Sequence, residues 1–212
     1  MNYIVLISTV LSFFSCGNKT QLTDIKTEVK KEIMNDSVQV ATFAGGCFWC
    51  TEAVFLEVKG VEKIVSGFTG GFVKNPAYRE VCNETTGHAE CIQITFNPKE
   101  VAYEDLLEIF FATHDPTTLN KQGADVGTQY RSAIFYHSKE QKEKAEKYIQ
   151  FIEKEKLYAN PIVTQIEEAG VFYLAEDYHQ NYYNQNKEQG YCQYVIAPKL
   201  DKLRKYYKSK LK

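Results

Sequence analysis

From residue 38 onward two hydrophobic periods alternate along the chain, and their order is what most narrows the fold. Residues 40–43 (VATF) read as a short strand ending at the Gly45-Gly46 turn. Residues 47–58 (CFWCTEAVFLEV) are apolar enough for a largely buried helix, stopped by Gly60. A second strand follows over 61–68. Residues 91–96 (CIQITF) alternate with period two as a third, closed by Asn97-Pro98, and 103–112 carry Leu106, Leu107, Phe110 and Phe111 at helical spacing. A fourth strand spans 130–136. Strand, helix, strand, strand, helix, strand is the split βαβ order of ferredoxin-like folds, an α+β arrangement. Beyond it come a charged helix over 139–155, a strand at 162–166, a partly helical aromatic segment (VFYLAEDYHQNYYNQN) and a helix within 198–211. Between Phe68 and His88 a stretch rich in Gly, Pro and Asn has little periodicity. A loop of that length inside a compact domain is more often functional than idle.

The N-terminus reads as an address. Residues 3–14 (YIVLISTVLSFF) form an apolar run that only Ser and Thr interrupt. As a helix it would rise about 18 Å, well short of the ~30 Å hydrocarbon core, so it fits the hydrophobic region of a signal peptide better than a membrane span. The run ends in Ser15-Cys16-Gly17, which resembles the lipobox of bacterial lipoproteins, with Phe13 where that motif prefers Leu and no Lys or Arg ahead of the run. The resemblance implies a lipoprotein-type signal over 1–15, lipidation of Cys16, and export to a bacterial cell envelope, with membrane contact only through that lipid. Residues 16–38 are polar, charged and aperiodic, as a flexible tether would be. Residues 39–212 then form a single domain, expected to act as a monomer.

With 27 acidic against 25 basic residues the net charge is -2, which gives no electrostatic reason for nucleic-acid binding. Six Cys are too few for a disulfide framework at 212 residues, and their scatter (Cys16, Cys47, Cys50, Cys82, Cys91, Cys192) points to individual chemical roles. Gly45-Gly46-Cys47-Phe48-Trp49-Cys50 is the most informative stretch. A Gly pair after a strand permits a tight turn and close approach of a ligand. Cys47 would stand at a helix N-terminus, where unpaired N–H groups and the helix dipole favour a thiolate, the reactive form of sulfur. Phe48 and Trp49 supply apolar walls. The same C-x-x-C fits a thioredoxin-like dithiol motif or half a zinc site, although Cys82 and Cys91 lack the second tight pair of common zinc sites.

Five segments together resemble the A-type peptide methionine sulfoxide reductases: ATFAGGCFWCTEAVF, NPAYREVCNETTGHAE (75–90), HDPTTLNKQGADVGTQYRSAIF (114–135), AEDYHQNY (175–182) and GYCQ (190–193). They span about residues 40–198. The resemblance implies a two-layer sandwich with a ferredoxin-like core and long irregular segments around the active site. It also implies roles. Cys47 matches the nucleophile that attacks the sulfoxide sulfur, and Glu90 the acid that protonates the departing oxygen, with Tyr78 and Tyr130 as hydroxyl donors. Phe48 and Trp49 match the pocket for the substrate methyl, and Asp125 and Tyr191 match polar groups beside it. On its own spacing, by contrast, Glu90 reads as a surface carboxylate before a strand. The physics of the residue types agrees with the roles: expelling a sulfoxide oxygen needs a proton, and a carboxyl in an apolar, Tyr-lined pocket holds one near neutral pH.

Attack leaves Cys47 as a sulfenic acid, which condenses with a second thiol. Cys192 matches the family's usual resolving position and is preferred, because a mobile tail could reach the sulfenate. Cys50, where many members carry Gly, is the alternative, one helical turn away. No bound cofactor or metal is implied, only a thioredoxin-type dithiol reductant as co-substrate and partner. The implied substrates are oxidised proteins and free methionine sulfoxide, in the S epimer. Two other classes compete: a dithiol-disulfide oxidoreductase built on Cys47 and Cys50, and a non-enzymatic lipoprotein binding thioether or aromatic ligands. Both leave the four downstream segments without purpose.

Overall fold

A computed structural model describes residues 38–212; the signal, Cys16 and most of the tether fall outside the described residues. In chain order the regular elements are β1 (Gln39–Gly45), α1 (Phe48–Leu56), β2 (Val61–Thr69), α2 (Tyr78–Cys82), β3 (Ala89–Phe96), α3 (Tyr103–Thr113), β4 (Lys121–Gln122), β5 (Asp125–Val126), β6 (Ser132–Tyr136), α4 (Lys139–Lys154), β7 (Gln165–Glu168), β8 (Tyr173–Leu174), α5 (Tyr182–Gln185) and α6 (Ala197–Tyr206).

Six strands form one sheet in the order β7-β6-β1-β3-β2-β8, and β4 and β5 pair as a separate small hairpin. The central four, β6-β1-β3-β2, pair antiparallel throughout. With α1 crossing from β1 to β2 and α3 from β3 to β6, this is the split βαβ core expected from the order of hydrophobic periods. Strand parity then decides what faces what. Ala41, Phe43, Phe68, Ile92, Ile94, Phe96 and Ile134 join the main core with Phe55 of α1, Leu106 and Phe110 of α3 and Leu200 and Leu203 of α6. The intervening residues Ala44, Ala89, Cys91, Ala133 and Phe135 make a smaller cluster, against which Ala169 and Phe172 pack. Phe43 stacks on Phe110 at 4.9 Å between centroids, and burial of such a ring is worth about 1.5–3 kcal/mol. Glu90 lies two residues before Ile92, so parity turns it toward the helices.

The differences from the sequence reading fall in the segments outside the core. Tyr130 belongs to a 3₁₀ turn (Thr128–Tyr130) and β6 starts after it, because Gly127 at φ 146 sets up the turn. The loop after β2 contains α2, and the stretch before Tyr130 contains the β4–β5 hairpin, both too short for periodicity to show. The strand expected at 162–166 is β7, shifted to Gln165–Glu168 and parallel to β6. The C-terminal region that carries Cys192 is docked on the core. That residue opens a π-helical turn (Cys192–Ile196) and is fully buried. Beyond α6, Lys59 N–H donates to the Lys210 carbonyl and Lys212 N–H to the Glu57 carbonyl, both at 2.9 Å.

The turn from β1 into α1 depends on Gly46, whose φ of +91 L side chains rarely adopt and whose missing Cβ leaves room for Gln122, whose Cγ would lie 2.5 Å from it. Gly46→Ala should therefore lower stability by about 1–3 kcal/mol, read as a fall in the urea midpoint at unchanged slope. A wild-type midpoint would show that the turn does not need glycine.

Candidate active site

β1 and the Gly turn deliver Cys47 to the N-cap of α1, where its carbonyl accepts the N–H groups of Cys50 at 3.1 Å and Thr51 at 3.4 Å. Cys47 is 7% exposed, Cys50 is buried one turn on, and the five described cysteines are free thiols. The two sulfurs are close enough to perturb each other's acidity. Burial pushes the Cys47 thiol well above its ordinary range, and the contact with Cys50 adds to the shift. Cys50 is drawn down to about 7, chiefly because Cys47 donates into it, with Lys199 and Tyr191 helping against the opposing effect of burial. At Cys47 loss of water therefore works against the acidifying effect of the helix terminus.

Glu90 is the second residue of β3, paired with Phe68, and is 1% exposed. It is no surface carboxylate. Its Oε2 accepts the N–H of Phe48, the first residue of α1, at 3.1 Å, while its buried Oε1 has no partner among the described residues. Burial pushes its pKa from 4.5 to about 8 against the opposing Phe48 bond, and the charges of Asp125 and Cys50 add to the rise. A carboxyl in that state carries a proton at neutral pH, beside the helix start that bears Cys47.

Tyr78, at the start of α2, is half-buried, and its N–H donates to Glu176 Oε1 at 3.1 Å. Tyr130 stands in the 3₁₀ turn before β6. Burial first, and then the Glu90 charge, push both phenols upward, so both keep their protons and remain donors. The loop between β2 and β3 that brings Tyr78 here is held by His88. Its Nδ1 accepts the Gly71 N–H at 3.0 Å, so its Nε2 carries the proton and donates to the Val73 carbonyl at 2.7 Å. Asp125, in the small hairpin, accepts the Tyr191 hydroxyl at 2.6 Å, and that hydroxyl lies 3.6 Å from the Cys50 sulfur.

The apolar side is built on Phe48 and Trp49. Phe48 packs on Phe68 at 5.7 Å and lies parallel to Tyr78 at 6.3 Å. Trp49 stacks on Tyr182 at 3.6 Å with 5° between planes, and its indole N–H donates to His179 Nδ1 at 3.1 Å. Glu52, buried on α1, fastens this segment by accepting the N–H groups of Asn181 at 2.8 Å and Tyr182 at 3.3 Å. Neither His179 nor Glu52 was singled out from sequence. The only signals were a histidine in a Tyr-rich run and a carboxylate in a helix otherwise apolar.

Phe48, Trp49, Tyr78 and Glu90 therefore gather about the start of α1 that Cys47 caps, with Tyr130 near enough for the Glu90 charge to act on it and Cys50, Tyr191 and Asp125 linked beside them. Cys192 lies on the Cys50 side, whose charge helps hold its thiol up after burial, the larger cause. Cys82 ends the short helix that Tyr78 begins, and Cys91 points to the opposite sheet face, donating to the Gly67 carbonyl at 3.4 Å. Among the described residues no three His, Cys, Asp or Glu side chains gather as a metal ion would require.

A paired thiol at a helix start, facing a protonated carboxyl within an aromatic wall, defines a thiol-based oxidoreductase on a ferredoxin-like core. The family model for peptide methionine sulfoxide reductase matches residues 39–211. The chain is 59% identical over 172 residues to peptide methionine sulfoxide reductase MsrA of Deinococcus radiodurans, covering 81% of this chain and 84% of that protein. It is 51% identical over 193 residues to MsrA 1 of Rhodopirellula baltica, covering 91% and 96%. Among solved structures it is similar to reduced Mxr1 from Saccharomyces cerevisiae (TM-score 0.68, 34% identity, 74% of this chain and 90% of that one). It is also similar to methionine sulfoxide reductase A of Corynebacterium diphtheriae (TM-score 0.65, 35% identity, 74% and 79%). The chain belongs to the peptide methionine sulfoxide reductase family, and its activity is reduction of methionine sulfoxide.

The raised pKa of Glu90 has a thermodynamic consequence. The folded chain holds this proton to about pH 8, whereas an unfolded chain releases it near 4.5, so the contribution to stability is complete below 4.5 and is lost as pH rises through 8. Glu90→Gln, isosteric and unable to ionise, should be the more stable protein above pH 8, by up to a few kcal/mol, with the gap closing toward pH 5. Thermal unfolding of both proteins across that range tests it; a gap that does not change with pH would mean Glu90 is not held protonated.

Proposed function

We propose that Cys47 reduces the S epimer of methionine sulfoxide, in proteins and as the free amino acid, and that Cys50 resolves the oxidised sulfur. The observation that carries the reading is the contact between the two thiols on one helical turn, with protonated Glu90 hydrogen-bonded to the same helix start. As the Cys47 sulfur attacks the sulfoxide sulfur, its proton passes to the Cys50 thiolate, and the Glu90 proton goes to the sulfoxide oxygen. Tyr78 and Tyr130 donate hydrogen bonds to that oxygen, each such donor typically contributing a few kcal/mol to transition-state stabilisation. The oxygen passes to the Cys47 sulfur as the S–O bond and the transient S–S bond break, so methionine departs and Cys47 is left as a sulfenic acid. Phe48 and Trp49 receive the substrate methyl, while Asp125 and Tyr191 line the polar side.

Cys50 then attacks the sulfenic sulfur, and its proton leaves with the hydroxyl as water. The product is a Cys47–Cys50 disulfide, with Glu90 ionised until solvent re-protonates it. A thioredoxin-type dithiol restores both thiols by exchange and is itself oxidised. Cys192 is ranked second as resolver, since its buried position in a docked helical turn offers no easy path to Cys47. Cys47→Ser should abolish reduction. Cys50→Ser should complete one turnover, one methionine per enzyme, and then stall with a thioredoxin-type reductant, whereas Cys192→Ser should cycle within a few-fold of wild type. The opposite pattern would transfer the resolving role to Cys192.

The reading includes an exported, lipid-anchored monomer, supported by the apolar run over 3–14 and by Cys16 in its lipobox-like setting. Intact mass of the full chain extracted from bacterial membranes should fit a diacylated species beginning at Cys16. A full-length or unlipidated mass would remove the anchor.

A further inference from the structure

The two phenols at the site come from separate segments: Tyr78 opens α2, and Tyr130 ends the 3₁₀ turn Thr128–Tyr130. Among the described residues one hydrogen bond joins residues 71–88 to residues 115–131. The Thr128 N–H donates to Glu84 Oε2 at 2.8 Å.

Each end of that bond departs from what local chemistry would choose. Glu84 is exposed, follows Asn83, the C-cap of α2, and has φ +59. Its N–H donates to the Val81 carbonyl at 3.0 Å, and the next N–H, of Thr85, to the Glu80 carbonyl at 3.4 Å. These are the two bonds of a Schellman motif, whose left-handed residue is usually Gly because a Cβ crowds that conformation. Nothing in the motif uses a side chain. At the other end, the Thr128 N–H is the first of its turn and has no partner within it. Side chains at an N-cap ordinarily accept the orphan groups of such a start. Here the N-cap is Gly127, at φ +146, where a Cβ would stand 2.3 Å from Gln129 Oε1. The turn cannot supply its own cap.

We propose that Glu84 is a positioning residue: it caps the Tyr130 turn from the segment that carries Tyr78, and so fixes one phenol relative to the other. Its effect on the reaction rests on the reading above in which both phenols donate to the sulfoxide oxygen; the cap itself does not. A loosened turn withdraws a donor that acts on the departing oxygen, so the loss falls on kcat and not on KM.

Glu84→Gly is the informative change, since it suits the φ of +59 yet removes the cap. In the full-length protein it should keep a thermal midpoint close to wild type while lowering single-turnover kcat about fivefold, the scale of one hydrogen bond, with KM within about twofold. Glu84→Gln keeps an acceptor oxygen and should stay within about twofold in kcat. Hydrogen exchange at the Thr128 amide should quicken at least about tenfold in Glu84→Gly and stay slow in Glu84→Gln. With Tyr130→Phe already in place, Glu84→Gly should cost nothing further, because the phenol it positions is gone. Wild-type exchange at Thr128 in Glu84→Gly would overturn the proposal, as would quickened exchange with unchanged kcat, or the full loss reappearing on top of Tyr130→Phe. If Tyr130→Phe alone keeps wild-type kcat, the phenol reading above fails, and exchange at Thr128 still decides whether Glu84 caps the turn.

Discussion

A carboxyl that has lost its water and kept one donor is the constraint on which the site depends. A carboxylate that accepts two or three N–H groups ionises readily, and one that accepts none has no fixed direction. Glu90 lies between these cases. Phe48 N–H holds Oε2 at 3.1 Å, and Oε1 is left unpartnered and buried, so the group is oriented while burial keeps it protonated. Because the donor is the first N–H of the helix that Cys47 caps, the same bond ties acid and nucleophile to one another. Parity in β3 supplies the other half: with Ile92, Ile94 and Phe96 committed to the core, Glu90 has no route back to solvent short of a register slip that would expose all three.

The four-stranded core is generic, and many functions share such a frame. What makes this one a reductase site is the chain wrapped about one end of the sheet. Those segments have too few apolar residues to pack on their own and are held by individual polar contacts. His88 closes the loop before β3 through Gly71 and Val73. Gln180 imitates a strand residue, its amide oxygen accepting the Ser66 N–H and its nitrogen donating to the Ser66 carbonyl, both at 2.9 Å. Glu52 fastens Asn181 and Tyr182 to α1. Each such bond contributes about 1–3 kcal/mol when a charged or buried partner is involved, enough together to order a loop that would otherwise remain mobile.

How far the sequence could be read follows from the same division. The alternation in 91–96 and the helical spacing of Leu106, Leu107, Phe110 and Phe111 reflect burial against a common core, and the core formed as they indicate. The start of α1 at Gly46-Cys47 was likewise legible, because a glycine pair between a strand and an apolar helix has few other uses. Glu90 was misread as exposed on spacing alone, although its parity with Ile92 already placed it inward. The acidity of the two sulfurs was not legible at all: a helix N-terminus predicts a lower pKa for Cys47, and only the burial of that side chain reverses the sign. Only partly legible was the end of the chain: Leu200 and Leu203 mark a helix face that packs on the core, but the backbone bonds beyond it, Lys59 to Lys210 and Lys212 to Glu57, leave no trace in residue type.

The division of charge between the sulfurs bears on how such an enzyme survives its own substrate's environment. A thiolate open to solvent is the form most quickly oxidised beyond repair. Here burial raises the Cys47 thiol while the neighbouring sulfur draws Cys50 down, which disfavours a resting thiolate at Cys47. On the proposed mechanism Cys47 acquires full nucleophilic charge only as a sulfoxide offers an electrophilic sulfur and the proton passes to Cys50. The same transfer leaves Cys50 as a thiol whose proton can depart with the hydroxyl in the next step, so one proton serves both attack and resolution. A glycine in place of Cys50 would break this economy: it would remove the acceptor for the Cys47 proton as well as the second sulfur. The two cysteines are therefore better regarded as one titrating unit than as a nucleophile with a spare thiol nearby.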